Sequence, residues 1–212
     1  MNIRKLLCSV IITIPLATFA QTSIKEIFVN APFDVIPTIA SSTRMDMIDY
    51  FEHGMNRPSK TYFGDDVVLT ELAENSITAQ TSTNFSTRIV MLPTKGGTLL
   101  MAIDTFKVPE ADSRVRVFDG EWKLIALLTP GTISQWLTPL GLQKDNIREV
   151  ENKLEFITAA ADYDNATGMI TFSNTSEHRL MPEEYNSIRP FVKDERQFQF
   201  NGKTFKEIQS KR

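Results

Sequence analysis

The side chains with the best spacing for chemistry are Asp46, Asp49 and His53. Separations of three and four residues place them on one face of a helix, where a carboxylate and an imidazole can share a proton or a metal ion. Apolar residues repeat at helical spacing in the same segment, and an amphipathic helix with a solvated polar face explains the same pattern. The sequence favours that polar surface and keeps the three residues as a candidate cluster.

Metal binding has few candidate ligands in this chain. His53 and His178 are the only histidines and Cys8 is the only cysteine, so a zinc site of the usual kind would lack ligands. The segment 162–168 (DYDNATG) superficially resembles a calcium loop, but Ala166 stands where an oxygen ligand is needed and no glutamate closes the loop. Because Asp, Asn and Gly favour turns, the sequence predicts a hairpin connection here and no metal or cofactor.

Sequence motifs of the common enzyme classes are missing. The chain has no Gly-x-Ser-x-Gly elbow and no Walker or dinucleotide fingerprint. It has 26 acidic residues, and glycoside hydrolysis needs only two carboxylates about 5–10 Å apart. A carboxylate-dependent hydrolase therefore stays open as an alternative.

Aromatic side chains offer a second kind of candidate site. Tyr62, Trp122 and Trp136 could supply a stacking surface for a glycan or a peptide. Rings of this size more often belong to the core. They are retained as a candidate aromatic binding surface.

Residues 1–20 predict a cleavable signal peptide. Arg4 and Lys5 precede an apolar run over 6–16, and small residues then lead to a cut before position 21. The run is too short to span a bilayer of roughly 30 Å, which argues against an uncleaved membrane anchor. We expect residues 21–212 to form one soluble α+β domain with no integral membrane segment.

The charge of the exported part is mildly negative. Of 23 basic residues, Arg4 and Lys5 lie in the leader, so 21 remain against 26 acidic ones and the net charge is near −5. The basic residues do not cluster into a stripe, so the sequence lacks the electrostatic signature of a nucleic-acid-binding protein. With no cysteine after the leader, stability must come from an ordinary hydrophobic core.

One helix and a series of strands dominate the first two thirds of the chain. Residues 43–53 predict a helix that packs on a sheet through Met45, Ile48 and Phe51. Six strands then follow through short turns, and short turns favour an antiparallel meander over βαβ units. The predicted strands cover 67–72, 76–81, 87–92, 98–108, 113–119 and 122–128. In the fifth of these strands, Arg114 and Arg116 are predicted to point outward.

Residues 130–153 give the weakest signal, with two short helices indicated near Trp136 and Val150. The remaining predicted elements are two strands, a helix opened by proline, and a hairpin, over 153–162, 169–173, 182–189 and 197–205. Asn201-Gly202 suits a two-residue hairpin turn. The predicted fold class is α+β, an antiparallel meander of roughly eight to ten strands with two or three packing helices.

Three segments resemble a known family. They are 45–51 (MDMIDYF) with Gly54, 112–119 (DSRVRVFD) with Trp122, and 189–193 (RPFVK). They are similar to segments in a family of uncharacterised exported proteins from Bacteroidetes, a domain of unknown function. The resemblance implies export and an α+β domain, and it transfers no catalytic residue.

These observations favour a non-catalytic protein of the periplasm or cell envelope, or one released outside the cell, that binds a protein or a glycan. The alternatives are the carboxylate-dependent envelope hydrolase and a structural or oligomerising envelope module. An exposed aromatic patch or an open sheet edge would support the first interpretation. A deep cleft around Asp49 and His53 would support the hydrolase.

Overall fold

The computed structural model describes residues 22–55, 57–107 and 109–208, and the predicted signal peptide over 1–20 lies outside them. The strands are β1 Ser59–Lys60, β2 Asp66–Leu72, β3 Ser76–Ser82, β4 Phe85–Leu92, β5 Leu99–Lys107, β6 Ala111–Asp119, β7 Leu124–Leu128, β8 Ala159–Asp164, β9 Met169–Asn174, β10 Glu195–Phe200 and β11 Phe205–Ile208. The helices are α1 Ile24–Asn30, α2 Ser41–Glu52, α3 Ile133–Trp136, α4 Lys144–Lys153 and α5 Pro182–Ile188, with 3-10 turns at Ser176–Arg179 and Arg189–Phe191. No helix in the described ranges is both long enough and apolar enough to cross a bilayer.

Strands β1 to β7 form one antiparallel sheet whose spatial order is the chain order. Each strand pairs with the next; in β4 and β5, for example, Phe85 lies opposite Phe106 and Leu92 opposite Leu99. The six-strand meander predicted from Asp66 onward is confirmed, and β1 adds a short strand at its first edge.

Strands β8 to β11 form a second antiparallel sheet, in the order β11-β10-β9-β8. The α+β class is confirmed, with eleven strands in two sheets and five α-helices among the described residues. The strand predicted over 153–162 starts later, at Ala159, because Lys153 still belongs to α4 and Leu154 turns into the core.

The seven-stranded sheet is covered on both faces. Ile89 and Ala102 lie opposite each other and join a buried cluster with α1 and α2, on what we call the helix-covered face. Val90 and Met101, one position along, join the cluster formed with the second sheet and α3, α4 and α5, on the sheet-covered face. The strict alternation follows from the two-residue period of a strand.

Side chains cap both ends of helix α1. Ser23 Oγ accepts from the Glu26 amide at 3.2 Å, and the Glu26 carboxylate accepts from the Ser23 amide at 3.0 Å, a capping box. At the other end, Arg44 of α2 donates to the carbonyl oxygens of Phe28 and Ala31 at 2.7 and 2.8 Å. Burial lowers the pKa of Arg44. Arg44 thus binds α2 to the carbonyl oxygens at the C-terminal end of α1.

Helix α2 starts and ends within two residues of the prediction but turns a different face to the core. Ile48 is buried as predicted, whereas Met45 and Phe51 are 53% and 40% exposed. Arg44 and Met47 are buried with Ile48 instead. The predicted apolar face is wrong because the guanidinium of Arg44 finds carbonyl partners inside, which turns Met45 toward solvent.

Residues 130–153 form the two short helices α3 and α4 that their apolar positions indicate. Trp136 of α3 and Val150 of α4 are fully buried in the cluster on the sheet-covered face. Both helices therefore belong to the core of the molecule.

The last hairpin has a wider turn than Asn201-Gly202 predicts. Phe200 pairs with Phe205, so the turn contains residues 201–204. Asn201 Oδ1 accepts hydrogen bonds at 3.0 Å from the amides of Lys203 and Thr204. The prediction of a two-residue turn is wrong because the Asn201 side chain caps a longer loop, an arrangement common for Asn.

Candidate functional site

Asp49 and His53 meet on the outer surface of α2. His53 Nδ1 lies 3.1 Å from a carboxylate oxygen of Asp49, and the side chains are 65% and 59% exposed. Asp46, one turn earlier, is also exposed. Within the described ranges, no three metal-binding side chains converge. The candidate cluster is a solvated polar face, and it lacks the cleft that the hydrolase alternative requires.

A serine–lysine contact that the sequence did not indicate joins α4 to α5. Lys153 Nζ donates to Ser187 Oγ, and the same ammonium group lies 3.1 Å from the Glu149 carboxylate. Ser187 Oγ in turn donates to the Glu184 carbonyl at 2.8 Å. The Ser187 hydroxyl thus accepts from the lysine and donates to a backbone carbonyl, and the contact ties the two helices together.

The calcium-like segment 162–168 contains the end of β8 and the turn 165–168 that leads to β9, so the predicted hairpin connection is confirmed. Asp164 accepts hydrogen bonds from Thr167 Oγ1 at 2.7 Å and from the Ala166 amide at 2.8 Å. The bond from Thr167, followed by that from Ala166, lowers the pKa of Asp164. Asp162 Oδ1 instead accepts a hydrogen bond of 3.2 Å from the Arg88 guanidinium. Both carboxylates serve the turn and its contact with the first sheet.

The three candidate aromatic residues do not form one surface. Trp136 is fully buried and its Nε1 donates to the Pro130 carbonyl at 2.7 Å, so it belongs to the core. Trp122 packs edge-on against Phe118 with ring centres 5.4 Å apart, next to β7. Tyr62 is 63% exposed and follows β1, at the opposite edge of the seven-stranded sheet.

A cluster of charged groups around the buried Asp104 lies on the helix-covered face. Arg114 Nε and Arg116 Nη2 each lie 2.9 Å from Oδ2 of the buried Asp104, and Thr87 donates to Oδ1 at 3.0 Å. Arg116 also donates to the carbonyls of residues 34–35 at 3.0 and 3.2 Å. Its predicted outward orientation is wrong, since its side chain is 12% exposed. The cluster fixes the irregular segment after α1 onto the sheet.

Two shallow grooves flank the bridge between Leu137 and Val192. The larger, about 440 Å³, is lined by Ser134, Gln135, Leu137, Leu142, Lys193 and Glu207. The smaller, about 320 Å³, is lined by Thr138, Asn186, Arg189, Pro190, Val192 and Asp194.

The charged groups of the larger groove are already paired. Lys193 Nζ donates to the Gln135 carbonyl at 2.9 Å. Arg196 donates two bonds of 2.8 Å to Glu207 and lowers the pKa of that carboxyl. These contacts fix the positions of α3 and β11. The polar groups that line the groove therefore do not converge on one point.

The four terminal strands of the two sheets differ in how they discourage pairing with another chain. β1 is two residues long and includes Lys60, β8 exposes Asp162, and β11 exposes Lys206 and Glu207. Short length and charge are known safeguards of sheet edges. β7 (Leu124–Leu128) is five apolar residues long with no charge and no proline, and its one irregularity of this kind is a β-bulge in its pairing with β6.

The open edge is marked by exposed aliphatic side chains. Leu124, Ile125 and Leu127 are 52%, 48% and 56% exposed. Ala126 and Leu128 pack instead against the core cluster on the sheet-covered face. A β-bulge interrupts the pairing of β7 with β6. We call Leu124–Leu128 with these exposed side chains the β7 edge.

A tight loop precedes the β7 edge. Asp119 Oδ1 accepts from the amides of Glu121 and Lys123 at 3.0 and 2.9 Å, and the Asp119 carbonyl accepts from the Trp122 amide at 3.1 Å. Trp122 has φ +64°, alone among the non-glycine residues that the structure describes. The loop holds Trp122 in this conformation with its ring against Phe118.

Sequence reasoning predicted the strand over 122–128 but missed its exposure. An unbroken apolar run is typical of a buried strand. The available signal was position, since this run closes the meander and no strand follows it closely in sequence. Only the sheet order shows that β7 has one neighbour, β6, among the described residues.

The fold and this edge define a two-sheet α+β protein with an open apolar strand. Residues 16–205 match the sequence pattern of the family described as "Protein of unknown function (DUF3256)". The chain therefore belongs to the DUF3256 family. No protein with curated annotation matches it.

A solved structure shares the fold. It is described as the structure of a domain of an uncharacterized protein from Porphyromonas gingivalis W83, and it is 19% identical with a TM-score of 0.70. The match covers 85% of this chain and 96% of that one. The resemblance to a Bacteroidetes family of unknown function is thus confirmed at the level of family and fold.

Proposed function

We propose that this protein is a non-catalytic component of the periplasm or cell envelope that binds a strand of a polypeptide along the β7 edge. The observation that carries the proposal is the contrast among the terminal strands. Three of them are short or charged, and β7 alone presents an uncharged run with three half-exposed aliphatic side chains.

Strand addition suits such an edge. The main-chain N–H and C=O groups on the outer side of a terminal strand can form a ladder with an incoming extended segment. Alternate side chains of that segment would lie beside Leu124, Ile125 and Leu127, where cross-strand aliphatic contacts add about 0.2–1 kcal/mol each.

The chemistry of the edge favours a protein partner over a glycan. Glycans stack on aromatic rings, whereas the side chains exposed on β7 are aliphatic. Tyr62 and Phe63 are exposed at the far side of the sheet, and Trp122 is engaged with Phe118.

The proposed location rests on the N-terminal pattern. A charged start, an apolar run over 6–16 and small residues before position 21 are the parts of an export signal. We propose on this ground that the protein functions outside the cytoplasm.

Photo-crosslinking in intact cells tests the proposal. A photoreactive amino acid at Leu127 should give a discrete adduct on illumination, because a strand on the β7 edge lies within about 5 Å of that side chain. The same amino acid at Ile208, a 39% exposed residue of the charged terminal strand β11, is the matched control. Equal yields at the two positions, or no adduct at Leu127, would contradict the proposal.

A further inference from the structure

We propose that Asn201 is a site of covalent self-modification. The main-chain nitrogen of Gly202 attacks the Asn201 side chain, ammonia leaves, and water then opens the resulting ring to aspartate or isoaspartate. The two residues lie in the turn over 201–204 that joins β10 to β11, and they form the only Asn-Gly pair in the sequence. The proposal does not depend on the β7 edge.

The reaction needs the side-chain carbon Cγ of the asparagine beside the main-chain nitrogen of the next residue. Asn201 Oδ1 accepts hydrogen bonds of 3.0 Å from the amides of Lys203 and Thr204. Because both donors lie beyond Gly202 in the chain, the side chain is folded over the peptide unit that joins Asn201 to Gly202. Holding the two reacting atoms side by side removes part of the entropic cost of ring closure.

The same two amides stabilise the charge that develops during the attack. As the Gly202 nitrogen bonds to Cγ, the electron pair of the C=O bond moves onto Oδ1. Two main-chain N–H groups already lie within hydrogen-bond distance of that atom. Preorganised donors of this kind form the oxyanion hole of acyl-transfer enzymes, where they favour the charged intermediate over the neutral carbonyl.

The attacking nitrogen and the leaving group are both free to react. Among the described residues, the Gly202 amide donates to no acceptor, and neither does Nδ2 of Asn201. Gly202 has φ +90°, and no atom lies within 4 Å of the position that a Cβ would take. The amide proton can therefore pass to a hydroxide ion of the solvent, and Nδ2 can take a proton from water and leave as ammonia.

The products follow from the bonds of the five-membered ring. The Gly202 nitrogen then joins two carbonyl carbons, Cγ and the original main-chain carbon of Asn201. Water that breaks the bond to Cγ gives aspartate. Water that breaks the original peptide bond gives isoaspartate, which adds one methylene group to the backbone of the turn. Either product carries a new negative charge.

The isoaspartate product also changes the last hairpin. Phe200 pairs directly with Phe205, so the turn cannot lengthen without disturbing that pair. The amides of β11 should therefore exchange with deuterium faster in the isoaspartate fraction, separated by chromatography, than in fresh protein. Equal exchange in the two samples would contradict the assigned effect on the hairpin.

Asn165 is a matched comparison within the same chain. It is also exposed and also lies in a hairpin turn, between β8 and β9. The amide of the next residue, Ala166, is bound to Asp164 Oδ1 at 2.8 Å. Asn165 Oδ1 accepts from the Asn75 side chain at 3.3 Å and from no main-chain amide among the described residues. Because the attacking nitrogen is engaged, we expect Asn165 to remain unchanged.

Peptide mass spectrometry of the purified protein tests the proposal. After days at mildly alkaline pH, the peptide that contains Asn201 should gain one mass unit, because OH replaces NH₂, and should separate into aspartate and isoaspartate forms. The rate should rise in proportion to the hydroxide concentration, since the Gly202 amide must lose its proton. Asn201→Asp is the control and should show no gain in mass. No gain at Asn201 in the folded protein would overturn the proposal.

Ala166→Gly separates the geometry of the turn from the Asn-Gly sequence. This variant has a second Asn-Gly pair, at 165–166, in a turn where the attacking amide is held by Asp164. In the folded variant Asn201 should react several-fold faster than Asn165, and in urea the two should react at similar rates. Equal rates in the folded variant, or a slower reaction of Asn201 in the folded protein than in urea, would show that the turn does not promote the reaction and would overturn the proposal.

Discussion

Trp122 holds a backbone conformation that residues with a side chain rarely adopt. Its φ of +64° lies in the left-handed region, where a Cβ costs about 1–2 kcal/mol. Two hydrogen bonds to the Asp119 carboxylate, from Glu121 and Lys123, fix the loop around it. The edge contact between Trp122 and Phe118 offsets part of that strain.

Because of this strain, we expect the glycine and alanine variants of Trp122 to have the reverse of their usual order of stability. Trp122→Gly should be more stable than Trp122→Ala by about 1 kcal/mol, because both lose the ring and only glycine tolerates the positive φ. Urea unfolding of the two variants measures the difference. The exposed neighbour Glu121 is the control, where the alanine variant should be at least as stable as the glycine variant. If the glycine and alanine variants had the same order of stability at positions 121 and 122, backbone strain at Trp122 would be contradicted.

Charged side chains link neighbouring strands to the segment after α1. The alternation of polar and apolar residues along a strand does not reveal these links. Asp104 on β5 holds Arg114 and Arg116 on β6, and Arg116 continues to the carbonyls after α1. A carboxylate removed from water in this way depends on its partners, since a buried charge without compensation costs several kcal/mol.

Loss of the Asp104 charge should be strongly destabilising. Asp104→Asn leaves two arginines without their shared carboxylate, and we expect a loss of about 3–5 kcal/mol in the free energy of unfolding. Asp66→Asn is the control, because Asp66 pairs with Lys60 at 2.6 Å with both side chains more than 60% exposed, and its loss should be below about 1 kcal/mol. Denaturant titration that found similar losses for the two variants would rule out the structural role assigned to Asp104.

Strand positions follow from the sequence because the two-residue period is a local property. The strands β2 to β7 and the turn before β9 are of this kind. The buried face of α2 is not, since Arg44 enters the core only because α1 ends beside it. The turn at Asn201 likewise depends on a side-chain hydrogen bond that the Asn-Gly pair does not specify.

At the scale of the whole molecule, the candidate binding edge could not be read from the sequence. An apolar run such as Leu124–Leu128 suits a central strand as well as a terminal one, and the difference lies in how many neighbours it has. The exposed Asp49–His53 pair and the buried Trp136 show the same dependence on tertiary packing.

Export is the whole-molecule expectation with the simplest test. The signal pattern predicts that the cellular product begins at Gln21 and is recovered without membrane. Mass spectrometry of the intact protein from fractionated cells checks both points. A product that starts at Met1 and sediments with the lipid would contradict export by cleavage.

The chain-order arrangement of the seven-stranded sheet has a kinetic consequence. Each of its hairpins closes a short loop, and structures rich in such local contacts tend to fold fast. Contacts to the second sheet span much longer separations, 74 residues between Arg88 and Asp162 and 47 between Asp112 and Ala159. The first sheet can therefore acquire its pairing early, and docking of the second becomes the slow, late event of folding.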